Sequence, residues 1–229
     1  MASPDAERGA VSAGRALLAA AVPLVWHNGV LPRLALDIRG RTAANAAFAT
    51  AYARVFAGEP RWGAAAGWRT GLGAAAAVLV GYGAGLAVPP ARRALAATPD
   101  RSPGVALPEW VGLHIPLGTV YTEELIFRGT LDAIAGTPLT ALAFGLWHLR
   151  PARAAGDPIV PTVAATAAAG LIFGALRRRS GSATAPALLH YALNAGGAVA
   201  PRLARARRFS ARGAAADDLA AAIDRVPAG

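Results

Sequence analysis

IVPTVAATAAAGLIFGAL, residues 159–176, carries no charged side chain, and Arg177, Arg178 and Arg179 follow it directly. Eighteen residues at about 1.5 Å of rise make a helix of about 27 Å, close to the thickness of a bilayer's hydrocarbon core. A basic cluster at its end meets anionic headgroups. The stretch is read as a membrane-spanning helix, and it sets the scale for the rest of the chain.

Further apolar runs occupy residues 11–31, 43–56, 71–88, 105–120, 139–149 and 183–200. Residues 43–56 and 139–149 are short, a length that suits re-entrant or protein-buried helices as well as spans. Breaks at Pro89-Pro90, Gly136-Thr137-Pro138 and Gly156-Asp157-Pro158 separate the runs, and residues 181–186 form a short turn before the last one. The expectation is an all-α, polytopic membrane helix bundle of about six to eight helices, with seven candidate spans and a polar catalytic cavity within the bilayer. The organisation expected is a polar tail over 1–10, a membrane bundle over 11–203 with a motif-bearing core at 105–200, and an Arg/Ala-rich C-terminal tail over 204–229.

The whole chain agrees with this reading. Of its 229 residues, 55% are hydrophobic and 16% charged, against about 25% charged in soluble domains, and the mean hydropathy is +0.39. Much of the apolar fraction is alanine, which leaves a soluble all-α protein open on composition alone. The placement of charge argues for the membrane. Every basic residue is arginine, the net charge is +10, and the arginines cluster between apolar runs instead of lining one face. A pI of about 11.5 without an aromatic-interleaved basic face does not point to nucleic acid. The absence of cysteine removes disulfides and thiolate chemistry. Asp5 and Glu7 beside Arg8 do not make the positive start of a cleaved signal. Arginine placement favours a cytoplasmic C-terminus by the positive-inside rule. The alanine-rich tail 211–229 is either disordered or an interfacial helix.

In a membrane chain the informative residues are the polar ones inside apolar runs, because an ionised side chain there costs about 2.5 to 3.5 kcal/mol. Three stretches hold them: Tyr121-Thr122-Glu123-Glu124-Leu125-Ile126-Phe127-Arg128-Gly129, Phe144-Gly145-Leu146-Trp147-His148, and His190-Tyr191-Ala192-Leu193-Asn194. Glu124 and Arg128 share a helical face and can pair. Glu123, turned away from Glu124, is then free to face a cavity as a general base on water. His148 closes its run with Phe144 one turn before it. His190 and Asn194 share one face of the last run, with an amide that both donates and accepts. Each group also has a structural reading: a self-paired helix end, an interfacial histidine, or polar glue between helices. Carboxylate, imidazole and amide arriving from three helices together suit a water-activating site. Glu123, His148 and His190 would also make a His₂Glu shell for a divalent metal such as zinc, although the helical HExxH arrangement is absent.

These residues resemble the CAAX-protease and bacteriocin-processing (CPBP, or Abi) family. Glu123-Glu124-xxx-Arg128 matches its EExxxR motif, Phe144-xxx-His148 its FxxxH and His190-xxx-Asn194 its HxxxN, in the same order. Gly170-xxx-Gly174, Arg177 to Arg179, Ser180-Gly181-Ser182 and Pro186 resemble the family's approach to its last motif. The resemblance implies an intramembrane endopeptidase, described in the family as metal-dependent or as using a glutamate-activated water. In the second description Glu123 with His148 deprotonates the water, His190 and Asn194 stabilise the oxyanion, and Glu124 with Arg128 supports them. The implied partners are membrane lipids and a peptide or protein substrate that reaches the membrane. The lysine-free, alanine- and arginine-rich chain looks bacterial, so a prenylated substrate is not implied. Other classes remain open: a non-catalytic immunity or adaptor protein, a transporter, for which no inverted repeat is found, and a soluble enzyme.

Overall fold

The computed structural model describes the backbone of residues 4–100 and 103–223, and the side chains of residues 12–100 and 103–207. The chain begins with α1 (Pro4–Val25), a wide-turn π-helical segment π1 (Trp26–Val30) and a 3₁₀ turn (Leu31–Leu34), and continues into α2 (Ile38–Val55), α3 (Ala65–Ala87) and α4 (Pro89–Ala97). A single turn, α5 (Leu107–Glu109), opens into π2 (Trp110–Tyr121), and π3 (Glu124–Leu131) follows. The last part is α6 (Asp132–Trp147), α7 (Leu149–Ala155), α8 (Ile159–Ser180) and α9 (Thr184–Ile223). No strand occurs among the described residues. The all-α expectation holds, and each apolar run falls on helical backbone except for a residue or two at its ends or at a helix junction.

The punctuation read from glycine and proline also holds. Pro89 and Pro90 occupy the first turn of α4, where a missing N–H costs nothing. Gly136, at φ +73°, kinks α6 just ahead of Pro138, and Gly181, at φ +65°, caps α8. Of the two expected tails, residues 1–3 and 224–229 lie outside the described residues. The backbone of 4–10 is helical as part of α1, and that of 204–223 continues α9.

Polarity runs opposite to that of a soluble domain. Leu17, Leu18 and Val25 of α1, Leu72, Leu79 and Val80 of α3, and Val160, Leu171 and Ile172 of α8 stand exposed, while Glu123, Glu124, Arg128 and His190 are buried. Such a surface fits a hydrocarbon surround. Among the described residues, two of the seven candidate runs, on α3 and α8, lie in helices long and apolar enough to cross a membrane. Alanine and interior polar residues dilute the others.

Helices in lipid are drawn together by close packing more than by apolar burial, and the α6–α8 crossing shows it. A Cβ on Gly145 would stand 2.7 Å from the Val163 carbonyl oxygen, and one on Gly170 would stand 3.0 Å from Ala141 Cα. The contact seats Phe144, Trp147 and Phe173 in one buried aromatic cluster with Phe127. That cluster is the wall on which the polar site is built.

The protein is expected in the membrane fraction after alkaline carbonate washing; recovery in the wash would contradict a bilayer-embedded bundle. Gly145→Ala should force α6 off α8 and cost about 1–3 kcal/mol, read as a lowered melting temperature in detergent. Gly73→Ala, where the added methyl meets open space, should not lower it.

Candidate active site

The first motif begins where π2 ends and fills π3. In these segments the backbone bonds reach one residue further back than in an α-helix, a geometry that recurs at functional sites. Threonine hydroxyls reinforce the wide turns: Thr122 donates to the Leu117 carbonyl at 3.0 Å and Thr130 to that of Leu125 at 2.9 Å, each five residues back. Glu123 and Glu124, adjacent in sequence, both end up inside the protein, 5% and 0% exposed.

Glu124 is the acceptor at the centre. Its Oε1 receives Arg128 Nη1 at 3.2 Å and His190 Nδ1 at 2.8 Å. The arginine, 1% exposed, lies over the rings of Phe144, Phe173 and Phe127, with its guanidinium carbon 4.1, 4.8 and 5.7 Å from their centroids. Aromatic faces and one carboxylate thus replace water around a buried cation. The expected Glu124–Arg128 pair is present.

Because a carboxylate only accepts, His190 donates from Nδ1, which directs its other nitrogen elsewhere. His190 Nε2 lies 3.8 Å from Glu123 Oε2. The Trp147 indole donates to Glu123 Oε1 at 3.0 Å, while Glu123 Oε2, Glu124 Oε2 and Arg128 Nε and Nη2 have no protein partner. Orphaned polar atoms at this depth are natural docking points for water. The His190 ring is held flat against Phe173, centroids 5.0 Å apart at 26°.

Glu123 lines a cavity of about 300 Å³ together with His148, Trp147, His27, Thr42 and His114. His148 donates Nδ1–H to the Phe144 carbonyl at 2.8 Å, so in the neutral ring Nε2 is an acceptor. Asn194 lies apart from this group. It lines a second cavity of about 460 Å³ with Thr119, Trp110, Asp100 and Arg205, and Thr119 and Trp110 border both spaces. The structure therefore gathers Glu123, Glu124, Arg128 and His190 in one cluster, sets His148 on the cavity Glu123 opens to, and places Asn194 beyond a shared wall.

Among the described residues no group of three or more His, Asp or Glu side chains is arranged to hold a metal ion. Of the expected metal set Glu123, His148 and His190, both histidines engage Nδ1 with an oxygen, the Glu124 carboxylate and the Phe144 carbonyl, which leaves Nε2 uncommitted on each ring.

Sequence reasoning passed over Trp147, which orients Glu123, and His27, whose ring stacks on Trp147 at 3.7 Å. Trp147 immediately precedes His148 in a stretch already singled out. His27 is a polar residue in an apolar run, the same signal that revealed His190.

Arg128→Ala should leave Glu124 buried without a counter-charge and cost about 3–5 kcal/mol in thermal unfolding. The double change Arg128→Met with Glu124→Leu should recover much of that loss. Equal stability of the single variant and the wild type would contradict the buried pair.

Residues 106–196 match the family described as type II CAAX prenyl endopeptidase Rce1-like, a match covering less than half of the chain. No curated protein and no solved structure matches the chain. The resemblance carried by the three motifs is thereby borne out: over residues 106–196 this chain is similar to the Rce1-like type II CAAX prenyl endopeptidases, as its EExxxR, FxxxH and HxxxN residues implied.

Proposed function

We propose that this protein is an intramembrane endopeptidase of a bacterial plasma membrane, of Abi type, that hydrolyses peptide bonds with a water activated by Glu123. The observation that carries the reading is Glu123 itself, which lines the cavity with His148 and keeps a buried, unpaired Oε2 facing His190 while Trp147 fixes its other oxygen.

Water in that cavity donates one hydrogen toward Glu123 Oε2 and the other toward His148 Nε2. Glu123 takes one proton as the water oxygen attacks the peptide carbonyl carbon and passes it to the departing nitrogen; the water's second proton, carried on the new carboxyl group, follows to the amine through Glu123, so that carboxylate and ammonium leave and Glu123 is ionised again. Glu124 holds Nδ1–H of His190, much as the aspartate of a serine-protease triad holds its histidine. As an imidazolium, stabilised by Glu124, His190 donates Nε2–H to the developing oxyanion and keeps that proton throughout the reaction. Asn194 is the second donor. A substrate must lie across the Thr119–Trp110 wall to meet both, which makes an extended peptide the fitting shape. The substrate enters from the bilayer, and the C-terminal end of α9 faces the cytoplasm.

Glu123→Gln keeps size and burial but cannot accept the proton. Peptide hydrolysis should fall by at least about 10²-fold, and a proteomic comparison with wild-type cells should show membrane-associated peptides that lose a cleavage. A folded Glu123→Gln protein that performs its cellular task normally would instead support a non-catalytic immunity or adaptor protein whose polar cluster is structural.

A further inference from the structure

Part of the wall of the Glu123 cavity is made by α2 and π2, and a line of polar contacts runs through it to the surface. Arg39 donates to both oxygens of Glu109, at 2.8 and 3.0 Å. Glu109 Oε1 lies 3.2 Å from His114 Nε2. His114 Nδ1 lies 2.8 Å from Thr42 Oγ1. His114 is 1% exposed, and both it and Thr42 line the cavity with Glu123 and His148. Carboxylate, imidazole and hydroxyl stand in sequence, each within hydrogen-bond reach, and end on the reaction space.

The direction of each hydrogen bond follows from the partners. A guanidinium that donates to both Glu109 oxygens requires both to accept. Glu109 therefore meets His114 as a carboxylate, and His114 donates from Nε2. In the neutral ring the other nitrogen accepts, so the Thr42 hydroxyl hydrogen points at His114. Thr42 is left with lone pairs only. The space is shaped for this hydroxyl: a Cβ at Gly118 would stand 2.8 Å from Thr42 Oγ1. Its neighbour on α2, Asn45, is engaged elsewhere, accepting from the Trp26 indole at 3.0 Å and donating to the Gly118 carbonyl at 3.4 Å.

We propose that Glu109–His114–Thr42 is a polarity-setting relay that turns Thr42 into an acceptor for a backbone N–H of the peptide substrate. Thr42 is then a substrate-binding residue, and His114 and Glu109 are positioning residues that act through it. Water activation places the scissile carbonyl over Glu123. An acceptor across the cavity fixes the strand's other hydrogen-bonding edge and so determines which carbonyl is presented. The inference deepens the endopeptidase reading and rests on it.

Two measurements on the full-length protein in detergent micelles test it. Nitrogen NMR of ¹⁵N-histidine-labelled protein, with His114 assigned by its loss in His114→Gln, should show a neutral ring protonated on Nε2. The Nδ1 signal should move in Thr42→Val and stay in Thr42→Ser. A proton on Nδ1 overturns the proposal. Turnover of a fluorogenic apolar hexapeptide that the wild type cleaves should show KM raised about five-fold in Thr42→Val with kcat unchanged, the mark of a lost ground-state hydrogen bond, and restored in Thr42→Ser. Lowered thermal stability with unchanged KM makes the relay a helix staple only and also overturns it. If Glu123→Gln cleaves as the wild type does, the glutamate mechanism fails instead, and the NMR measurement still decides the relay.

Discussion

The buried pairing of Arg128 with Glu124 is the constraint around which the rest is arranged. A guanidinium and a carboxylate withdrawn from water each forfeit several kcal/mol of solvation, and the fold must supply substitutes from several directions. Phe127 comes from π3 itself, Phe144 from α6 and Phe173 from α8, and His190 arrives from α9 to take the remaining face of Glu124. Four helical segments are thus held to one point. The tight α6–α8 crossing matters for chemistry because it sets the ring faces against which the cation lies.

Adjacency of the two carboxylates then divides their work. Each keeps one oxygen without a protein partner, but Glu124 holds Arg128 and His190 together on its other oxygen, whereas Glu123 lines a cavity. The ring of His190 connects them, one nitrogen toward each. Such an arrangement couples the orientation of the two carboxylates through one supported imidazole, with the ion pair behind them.

Much of this was legible in the sequence. Apolar runs marked the helices, glycine and proline marked their ends, and polar residues inside the runs marked the centre, because burying charge in an apolar chain needs a reason. The Glu124–Arg128 spacing announced its ion pair. His190 and Asn194, read as one face, instead divide between the cluster and a second cavity, since α9 presents that face to both. The partners of Glu123 and His190 were not legible: which indole or carboxylate meets them depends on how α6 and α9 are rotated, and periodicity does not encode that. Nor did the sequence disclose π2 and π3, where side-chain spacing departs from the α-helical wheel.

Those wide turns carry a consequence for how this segment tolerates change. In an α-helix a residue added or lost rotates everything beyond it by about 100°, and here both carboxylates, the arginine and His114 lie along one nearly continuous helical path from Trp110 to Leu131. The segment already holds its wide turns with threonine hydroxyls reaching five residues back. Its length is therefore as much a part of the site as its side chains: substitutions along the lipid-facing side leave the polar set in register, whereas a single-residue deletion swings it out of alignment with α6 and α9.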